Sequence, residues 1–216
     1  ADPQATATEW LGVNVDHPIH DIGSVLLNRA TLAEATLDVE TPGVQLVPAS
    51  PGLDGDLIEV GKVMGPEQRL RRALQDVDAD LVLIDCPGAI GPVSLYALVA
   101  ATACVTVAQP TSKDLKGLMK MEAFITEVAD VYNPGLQLAA IVPCLVPALN
   151  QGRLYSDALA RMREDYGDLV APPVRRTTRI PEADSHGIPL PLYAPSDPAT
   201  ADYEAIADWL IERGVM

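Results

Sequence analysis

The sequence is poor in aromatic residues and in cysteine, and each shortage excludes a class of protein. Aromatic residues make up 4% of the 216 residues and hydrophobic residues 48%, so the core must be aliphatic, as in parallel sheets rich in Val, Ile and Leu. The three cysteines, Cys86, Cys104 and Cys144, are far apart and odd in number. They exclude a disulfide framework and predict reduced, buried thiols in a cytoplasmic protein. No apolar run reaches the ~18 residues of a membrane span.

Positive charge is scarce as well, and it is unevenly distributed. The formal net charge is −15, and residues 1–60 contain ten acidic residues but a single cation, Arg29. This balance argues against a generally basic surface for nucleic acid. Residues 150–180 differ, because they hold six arginines and four acids. We expect any contact with a polyanion there, the alternative being a mixed, solvated surface.

Apolar runs alternate with segments of helical periodicity along the chain. Strands are predicted at residues 45–49, 80–85, 104–109, 138–142 and 169–171. Helices are predicted at residues 67–76, 92–101, 112–132, with Ser112 as the N-cap, 153–166 and 200–212. Strands and helices in this order indicate an α/β fold, in which a mostly parallel sheet carries helices on both faces. The length fits one domain over residues 1–216.

Two acidic residues follow segments that the pattern places at one edge of this sheet. Asp85 ends the apolar run 81–84, and Asp2 opens the polar segment Asp-Pro-Gln-Ala-Thr-Ala-Thr. Acids at the carboxyl edge of parallel strands are typical of a site for a nucleotide with Mg²⁺. The alternatives are a turn acid that caps a strand end for Asp85 and a loop acid in an Asx-turn for Asp2.

A loop that grips phosphates is missing from the 216 residues. Residues 55–62 run from glycine to Gly-Lys and approach a Walker A pattern, but the spacing is one residue too long. Val63 also follows where Ser or Thr should bind Mg²⁺, and Asp56 and Glu59 would repel phosphates. We therefore reject this segment as a phosphate-binding loop.

The order of short motifs resembles that of the ParA/Soj-type partition ATPases, a P-loop family with a deviant Walker A motif. Asp2-Pro3-Gln4 followed by Ala-Thr-Ala-Thr is similar to the family's D-P-Q-G-N-A-T, and Leu83-Ile84-Asp85-Cys86-Pro87 to its L-I-D-x-P-P. Further matches, collinear with the family over nearly the whole chain, lie at residues 95–101, 104–110, 115–118, 166–170, 179–187, 193–195 and 203. The resemblance implies the family's P-loop α/β fold.

The same resemblance assigns roles to individual residues. Asp2 takes the catalytic position that orients the attacking water, and Asp85 lies on the Mg²⁺ side, holding the metal through water. Residues near the nucleotide would be Pro3, Gln4, Thr6, Pro87, Pro143, Pro173 and Arg175. Thr6 and Thr8 belong to a segment that responds to the γ-phosphate in the family, or are plain turn residues. The implied cofactors are ATP and Mg²⁺.

Three departures from the family pattern limit the expected activity. Ala5 replaces a glycine, so we expect the turn to form without a left-handed residue, and Gly88 replaces a proline. The family's K-G-G-V-G-K-T loop, with its first strand and helix, is absent from the sequence. Without its amides and lysine, ATP should bind poorly and be hydrolysed negligibly. We expect a truncated chain or, alternatively, a non-catalytic scaffold that keeps the fold.

The resemblance also implies partners. Arg175, Arg176 and Arg179 are candidates for non-specific DNA binding, because arginine grips phosphates bidentately. The alternative is local pairing with Glu182 and Asp184. The family's cycle implies an ATP-dependent homodimer, a ParB-like centromere-binding partner and a plasmid or chromosome as cargo. No basic amphipathic extension follows the last predicted helix, which disfavours the membrane-binding MinD branch of the superfamily.

Overall fold

A computed structural model describes residues 1–14, 20–147 and 153–216 of the chain. The chain folds into two compact units. Unit 1 comprises residues Ala1–Ala101 with Asp184–Pro189, and unit 2 comprises Thr102–Ala183 with Leu190–Met216. A single domain over residues 1–216 stays a prediction.

Unit 1 consists of short helices and a small antiparallel ladder. Its elements are α1 Thr6–Trp10, α2 Ile22–Leu26, α3 Leu32–Ala35, β1 Leu37–Asp38, β2 Gln45–Leu46, α4 Leu53–Val60, a 3-10 turn at Pro66–Gln68, α5 Arg69–Ala73 and α6 Pro92–Ala100. The strand predicted at residues 45–49 reduces to β2, which pairs antiparallel with β1 and does not belong to a parallel sheet. The helices predicted at residues 67–76 and 92–101 are confirmed as α5 and α6.

Polar side chains cap two of the short helices of unit 1. Asp21 is buried and caps α2 by accepting a hydrogen bond from the Ser24 N–H at 2.8 Å. Thr31 and Glu34 form a reciprocal capping box at the start of α3. The helices then bury aliphatic side chains in one cluster, in which Leu53 and Val60 have no exposed surface. This cluster confirms the expected aliphatic core for unit 1.

Residues 80–85 are not a buried strand, which corrects the sequence-based prediction. The structure assigns no strand there, and Leu81, Val82 and Leu83 are 45%, 45% and 81% exposed. An apolar run forms a buried strand only when a neighbouring strand satisfies its backbone hydrogen bonds. Among the described residues, no strand pairs with this one. Asp85 is therefore exposed at the end of an unpaired segment.

Unit 2 contains the parallel strands. Its elements are β3 Cys104–Ala108, α7 Ser112–Val131, β4 Leu138–Pro143, α8 Arg153–Tyr166, a 3-10 turn at Gly167–Leu169, α10 Leu190–Tyr193 and α11 Pro198–Glu212, and α9 Arg179–Ser185 begins in it. The predicted strands at residues 104–109 and 138–142 and the three long helices are confirmed. The strand predicted at 169–171 reduces to an isolated parallel bridge between Val170 and Ile141.

Helices cover both faces of β4. β3 and β4 pair in parallel, with Thr106 opposite Ile141 and Val107 opposite Val142. Successive side chains of a strand point to opposite faces. Ile141 packs in a cluster with Leu118 of α7 and Met162 of α8, whereas Val142 packs in a cluster with Leu210 of α11. This arrangement confirms the predicted α/β fold with a parallel sheet between helices.

Two details of unit 2 differ from the sequence-based expectations. The N-cap of α7 is Thr111 and not Ser112, because the Thr111 hydroxyl accepts a hydrogen bond from the Asp114 N–H at 3.2 Å. Cys86 in unit 1 and Cys104 and Cys144 in unit 2 form no disulfide and are half-buried, so the prediction of buried thiols is wrong. Burial is still sufficient to raise the pKa of the Cys104 and Cys144 thiols. No helix in the described ranges combines the length and hydropathy needed to cross a membrane.

Candidate nucleotide site and arginine cluster

Asp2 lies at the start of a tight turn. Its carboxylate Oδ1 accepts a hydrogen bond from the Gln4 N–H at 2.9 Å, and its carbonyl accepts one from the Ala5 N–H at 2.9 Å. These bonds form the Asx-turn that was the alternative interpretation of Asp2. Ala5 adopts φ 54° and ψ 22°, so the expectation of a turn without a left-handed residue is wrong. A left-handed alanine is sterically unfavourable, because its Cβ lies close to the following carbonyl oxygen. Ala5 adopts this conformation at the position directly before α1.

The segments that carry Asp2 and Asp85 lie close together in unit 1. Burial lowers the pKa of the Ala1 amino group, while Cys86, Asp85 and Asp2 interact electrostatically with it and favour its charged form. Ala1 and Ile84 also pack against the same buried cluster. Residues more than 80 positions apart in the sequence therefore contribute acids to one region of the unit.

Thr8 is buried and hydrogen-bonded, whereas Thr6 is exposed. Thr8 is 2% exposed, and its hydroxyl accepts a hydrogen bond from the buried Ala49 N–H at 3.0 Å. Thr6 is exposed on the first turn of α1. Neither residue is a plain turn residue, because both lie in α1. Of the other predicted nucleotide-proximal residues in unit 1, Pro3 and Pro87 are partly buried and Gln4 is exposed.

The donor set of unit 1 suits a metal ion better than a triphosphate. Carboxylate oxygens such as those of Asp2 and Asp85 are ligands that Mg²⁺ accepts, with water or phosphate completing its shell. Among the described residues, no group of three or more His, Cys, Asp and Glu side chains is arranged to hold a metal alone. Phosphates need converging N–H groups and a cation. Arg29 does not offer one, because it binds Asp56 at 3.1 Å and Glu59 at 2.6 Å.

The rejected Walker-like segment is helical. Gly55 to Val60 belong to α4 Leu53–Val60, and backbone N–H groups inside a helix bond to carbonyls of the preceding turn. Such groups are not free to surround a phosphate. The helical residues 55–60 therefore do not form a phosphate-binding loop.

The remaining predicted nucleotide-proximal residues lie side by side in unit 2. Pro143 ends β4, and its carbonyl accepts a hydrogen bond from the Val174 N–H at 2.8 Å. An isolated parallel bridge between Val146 and Arg175 continues this pairing. The two loops that the resemblance places beside an adenine, at Pro143 and from Pro173 to Arg175, are therefore neighbours in the structure.

Carboxylates engage two of the three candidate DNA-binding arginines. Arg175 donates from Nε and Nη2 to the two oxygens of Asp202 at 2.6 and 2.7 Å. Arg179 donates to Glu182 at 2.8 Å and lies 3.8 Å from Asp197. The predicted pairing with Glu182 is confirmed, and Asp197 rather than Asp184 is the second carboxylate near Arg179. Each carboxylate raises the pKa of the arginine it binds.

Arg176 differs from Arg175 and Arg179 in its side-chain contacts. It is exposed, and its backbone N–H donates to the Val146 carbonyl at 2.8 Å. No ion pair involves its side chain in the part of the chain that the structure describes. The arginine-rich segment 150–180 begins at residues 150–152, which lie outside the described residues. Sequence reasoning missed Asp202, because a contact across 27 positions leaves no mark in local spacing.

The fold, with parallel strands between helices, defines an α/β protein of the P-loop NTPase type. Residues 1–138 match the family described as the AAA domain. The chain is 31% identical over 219 residues to the chromosome partitioning protein ParA of Caulobacter vibrioides, covering 99% of this chain and 81% of that protein. It is 32% identical to the chromosome-partitioning ATPase Soj of Thermus thermophilus, covering 98% of this chain and 81% of the relative. The chain therefore belongs to the ParA-type partition ATPase family of AAA-domain proteins.

Solved structures have the same fold. A cobyrinic acid a,c-diamide synthase from Mycobacterium smegmatis with bound ATP analogue and magnesium superposes with a TM-score of 0.73 at 30% identity, over 82% of this chain and 72% of that one. The Cyanothece McdA(D38A)–ATP complex superposes with a TM-score of 0.83 over 97% of this chain and 83% of that one. Its identity of 21% makes it a likeness of fold alone.

Proposed function

We propose that this chain is the ATPase component of a ParA-like system that partitions a plasmid or chromosome. Asp2 orients the attacking water, Asp85 holds Mg²⁺ through water, and Pro3, Gln4, Thr6 and Pro87 border the nucleotide. The observation that carries the proposal is that Ala1 and Ile84, the sequence neighbours of Asp2 and Asp85, pack against the same buried cluster of unit 1. Membership of the family supports it further, because relatives named for chromosome partitioning match nearly the whole chain.

Two adjoining loops of unit 2 would border an adenine base. Pro143, Pro173 and Arg175 border the base, and the hydrogen bond from the Val174 N–H to the Pro143 carbonyl holds the two loops together. Because Arg175 is committed to Asp202 through two side-chain bonds, its contribution here is to fix the loop. Base-specific recognition would rest on backbone groups of these loops.

The family resemblance assigns the phosphates to a K-G-G-V-G-K-T loop, a motif that is not among the residues of the sequence given. We infer that the chain as given binds ATP weakly and does not hydrolyse it, since two acids would face an uncompensated polyanion. A strand, loop and helix bearing K-G-G-V-G-K-T, supplied ahead of residue 1, should restore the cradle. The competing function is a non-catalytic scaffold that keeps the fold and its protein contacts.

A fusion experiment separates these two functions. The chain with and without such an added segment is assayed for Mg²⁺-dependent release of phosphate from ATP. We expect hydrolysis only in the fusion, loss of hydrolysis with retained ATP binding in Asp2→Ala, and a higher Mg²⁺ concentration required for hydrolysis in Asp85→Ala. Asp80→Ala is the matched control, because Asp80 is an exposed acid at the other end of the same segment.

The outcomes divide clearly. Hydrolysis that survives Asp2→Ala removes Asp2 from the catalytic position. A folded fusion that neither binds nor hydrolyses ATP, with a melting temperature unmoved by nucleotide, favours the scaffold.

The proposed working cycle includes a homodimer, a ParB-like partner and non-specific DNA binding through Arg175, Arg176 and Arg179. Arg176 is the best placed of the three, because among the described residues no ion pair involves its side chain. Non-specific binding should weaken steeply with salt. Arg176→Ala should reduce the affinity for duplexes of unrelated sequence equally, and unequal losses would argue against backbone contacts.

A further inference from the structure

Arg175 and Asp202 form a closed pair in unit 2. The two nitrogens on one edge of the guanidinium, Nε and Nη2, donate to the two oxygens of Asp202 at 2.6 and 2.7 Å. The Arg175 backbone N–H adds a third bond to Oδ2 at 3.0 Å. The Asp202 side chain is 14% exposed, whereas that of Arg175 is 51% exposed. The acid is therefore fixed in the protein surface, and the arginine lies over it.

A phosphate diester would use the same donors of Arg175. Arginine binds carboxylate and phosphate alike through a planar fork of two parallel N–H groups. Asp202 occupies one such fork completely, so a phosphate must either displace the carboxylate or accept the remaining, poorer geometry. Arg176, the adjacent residue, has no comparable carboxylate among the ion pairs of the described residues.

We propose that Asp202 is an internal competitor that masks Arg175 from polyanions, so that the arginine surface of unit 2 is held in a weakly binding state. This inference rests on the proposed DNA-binding function and adds a regulatory residue to it. The Asp202 carboxylate occupies the donors of Arg175 that a phosphate of the DNA backbone would otherwise use. Any change that separates Asp202 from Arg175 makes the Arg175 guanidinium available and so adds one cation to the surface.

The variant Asp202→Asn tests the mask. Asparagine is nearly isosteric and can still accept the hydrogen bond from the Arg175 N–H, but it carries no charge to hold the guanidinium. Affinity for a short fluorescein-labelled duplex is measured by anisotropy over a series of salt concentrations. We expect about tenfold tighter binding at low salt, the effect of one charge-assisted contact. The slope of log K against log salt should steepen by about 0.9, one additional phosphate.

Two further variants separate masking from simple loss of negative charge. Asp208→Asn lies on the same helix α11, is exposed, and removes the same charge. It should leave the salt slope unchanged. The double variant Arg175→Ala with Asp202→Asn should lose the gain completely, because the added contact belongs to Arg175. Circular dichroism and melting of each variant verify that the fold is retained.

Each result decides the proposal. Unchanged or weaker binding by folded Asp202→Asn, while wild type binds DNA and Arg176→Ala reduces that binding, overturns the mask but leaves the proposed DNA-binding function in place. If neither wild type nor Asp202→Asn binds duplex at low salt, both ideas fail together. An equal gain in Asp208→Asn would also overturn the mask, because it would assign the effect to overall charge.

Discussion

Replacing Thr8 by valine tests whether this threonine supports the fold or responds to a nucleotide. The two side chains have nearly the same shape and both are β-branched, so helix propensity and packing change little. The hydroxyl that accepts the Ala49 N–H at 3.0 Å disappears. Ala49 is 4% exposed, so water cannot replace the lost acceptor. A buried donor left unsatisfied costs about 1–3 kcal/mol, and we expect a loss of roughly 2 kcal/mol.

A second substitution separates the hydrogen bond from the methyl group. Thr8→Ser keeps the hydroxyl and removes one buried methyl, for an expected loss of about 1 kcal/mol. Thr6→Val changes an exposed residue on the same helix and should stay within about 0.5 kcal/mol of wild type. The expected order of destabilisation is therefore valine at position 8, then serine at position 8, then valine at position 6.

The two tryptophans of the chain make this assay specific for unit 1. Trp10 lies in unit 1, where its Nε1 donates to the Ile188 carbonyl at 3.1 Å, and Trp209 lies in unit 2. In a Trp209→Phe background, urea unfolding followed by fluorescence reports on Trp10 alone. A loss of 2 kcal/mol moves the midpoint by roughly 1 M urea. The reasoning is refuted if Thr8→Val unfolds at the wild-type midpoint, or if Thr8→Ser is the more damaging variant.

Three further predictions follow from buried or capping side chains. Asp21→Ala, which removes the α2 cap and the acceptor of the Ser50 hydroxyl at 2.6 Å, should cost about 2 kcal/mol by urea unfolding, with Asp21→Asn losing clearly less. Met162→Ala, at a side chain with no exposed surface, should cost about 2–5 kcal/mol by Trp209 fluorescence; a loss below 1 kcal/mol would contradict its burial. Hydrogen bonds from the Thr31 backbone and hydroxyl lower the pKa of Glu34 below its ordinary 4.5. The resulting stabilisation over Glu34→Gln should be complete above pH 4.5 and disappear as the pH falls through the folded pKa, and a difference that persists in acid would contradict it.

Sequence patterns predicted two kinds of element: helices determined by nearby residues and strands determined by an aliphatic run. The long helix at residues 112–132 appears as α7 Ser112–Val131 because its apolar spacing and its stop at Asn133-Pro134-Gly135 depend only on nearby residues. β3 and β4 were predictable because runs of aliphatic residues suit a sheet covered on both faces. The family resemblance then supplied the fold that composition alone would have left open.

Other features depend on contacts that no local pattern encodes. Residues 80–85 have the composition of a buried strand, yet Leu83 is 81% exposed because pairing needs a partner strand and not only apolar side chains. The left-handed conformation of Ala5 was missed because residues other than glycine rarely adopt a positive φ. The structure places the residue in the core of unit 1, where it is 2% exposed. Asp202 was missed as the partner of Arg175, because tertiary folding alone brings the two together. Sequence therefore located the candidate acids and arginines, and the structure defined their partners.

The unpaired segment at residues 81–84 has a consequence for handling the protein. An uncharged stretch with exposed leucine and valine side chains, unpaired among the described strands, offers its backbone to a like segment of another copy, which promotes β-type self-association. Asp80 and Asp85, exposed at its two ends, act as gatekeepers whose mutual repulsion between copies opposes such stacking. Neutralising Asp85 to study the metal also removes one gatekeeper. Light scattering and thioflavin fluorescence should therefore accompany every measurement on that variant, because aggregation would imitate a loss of function.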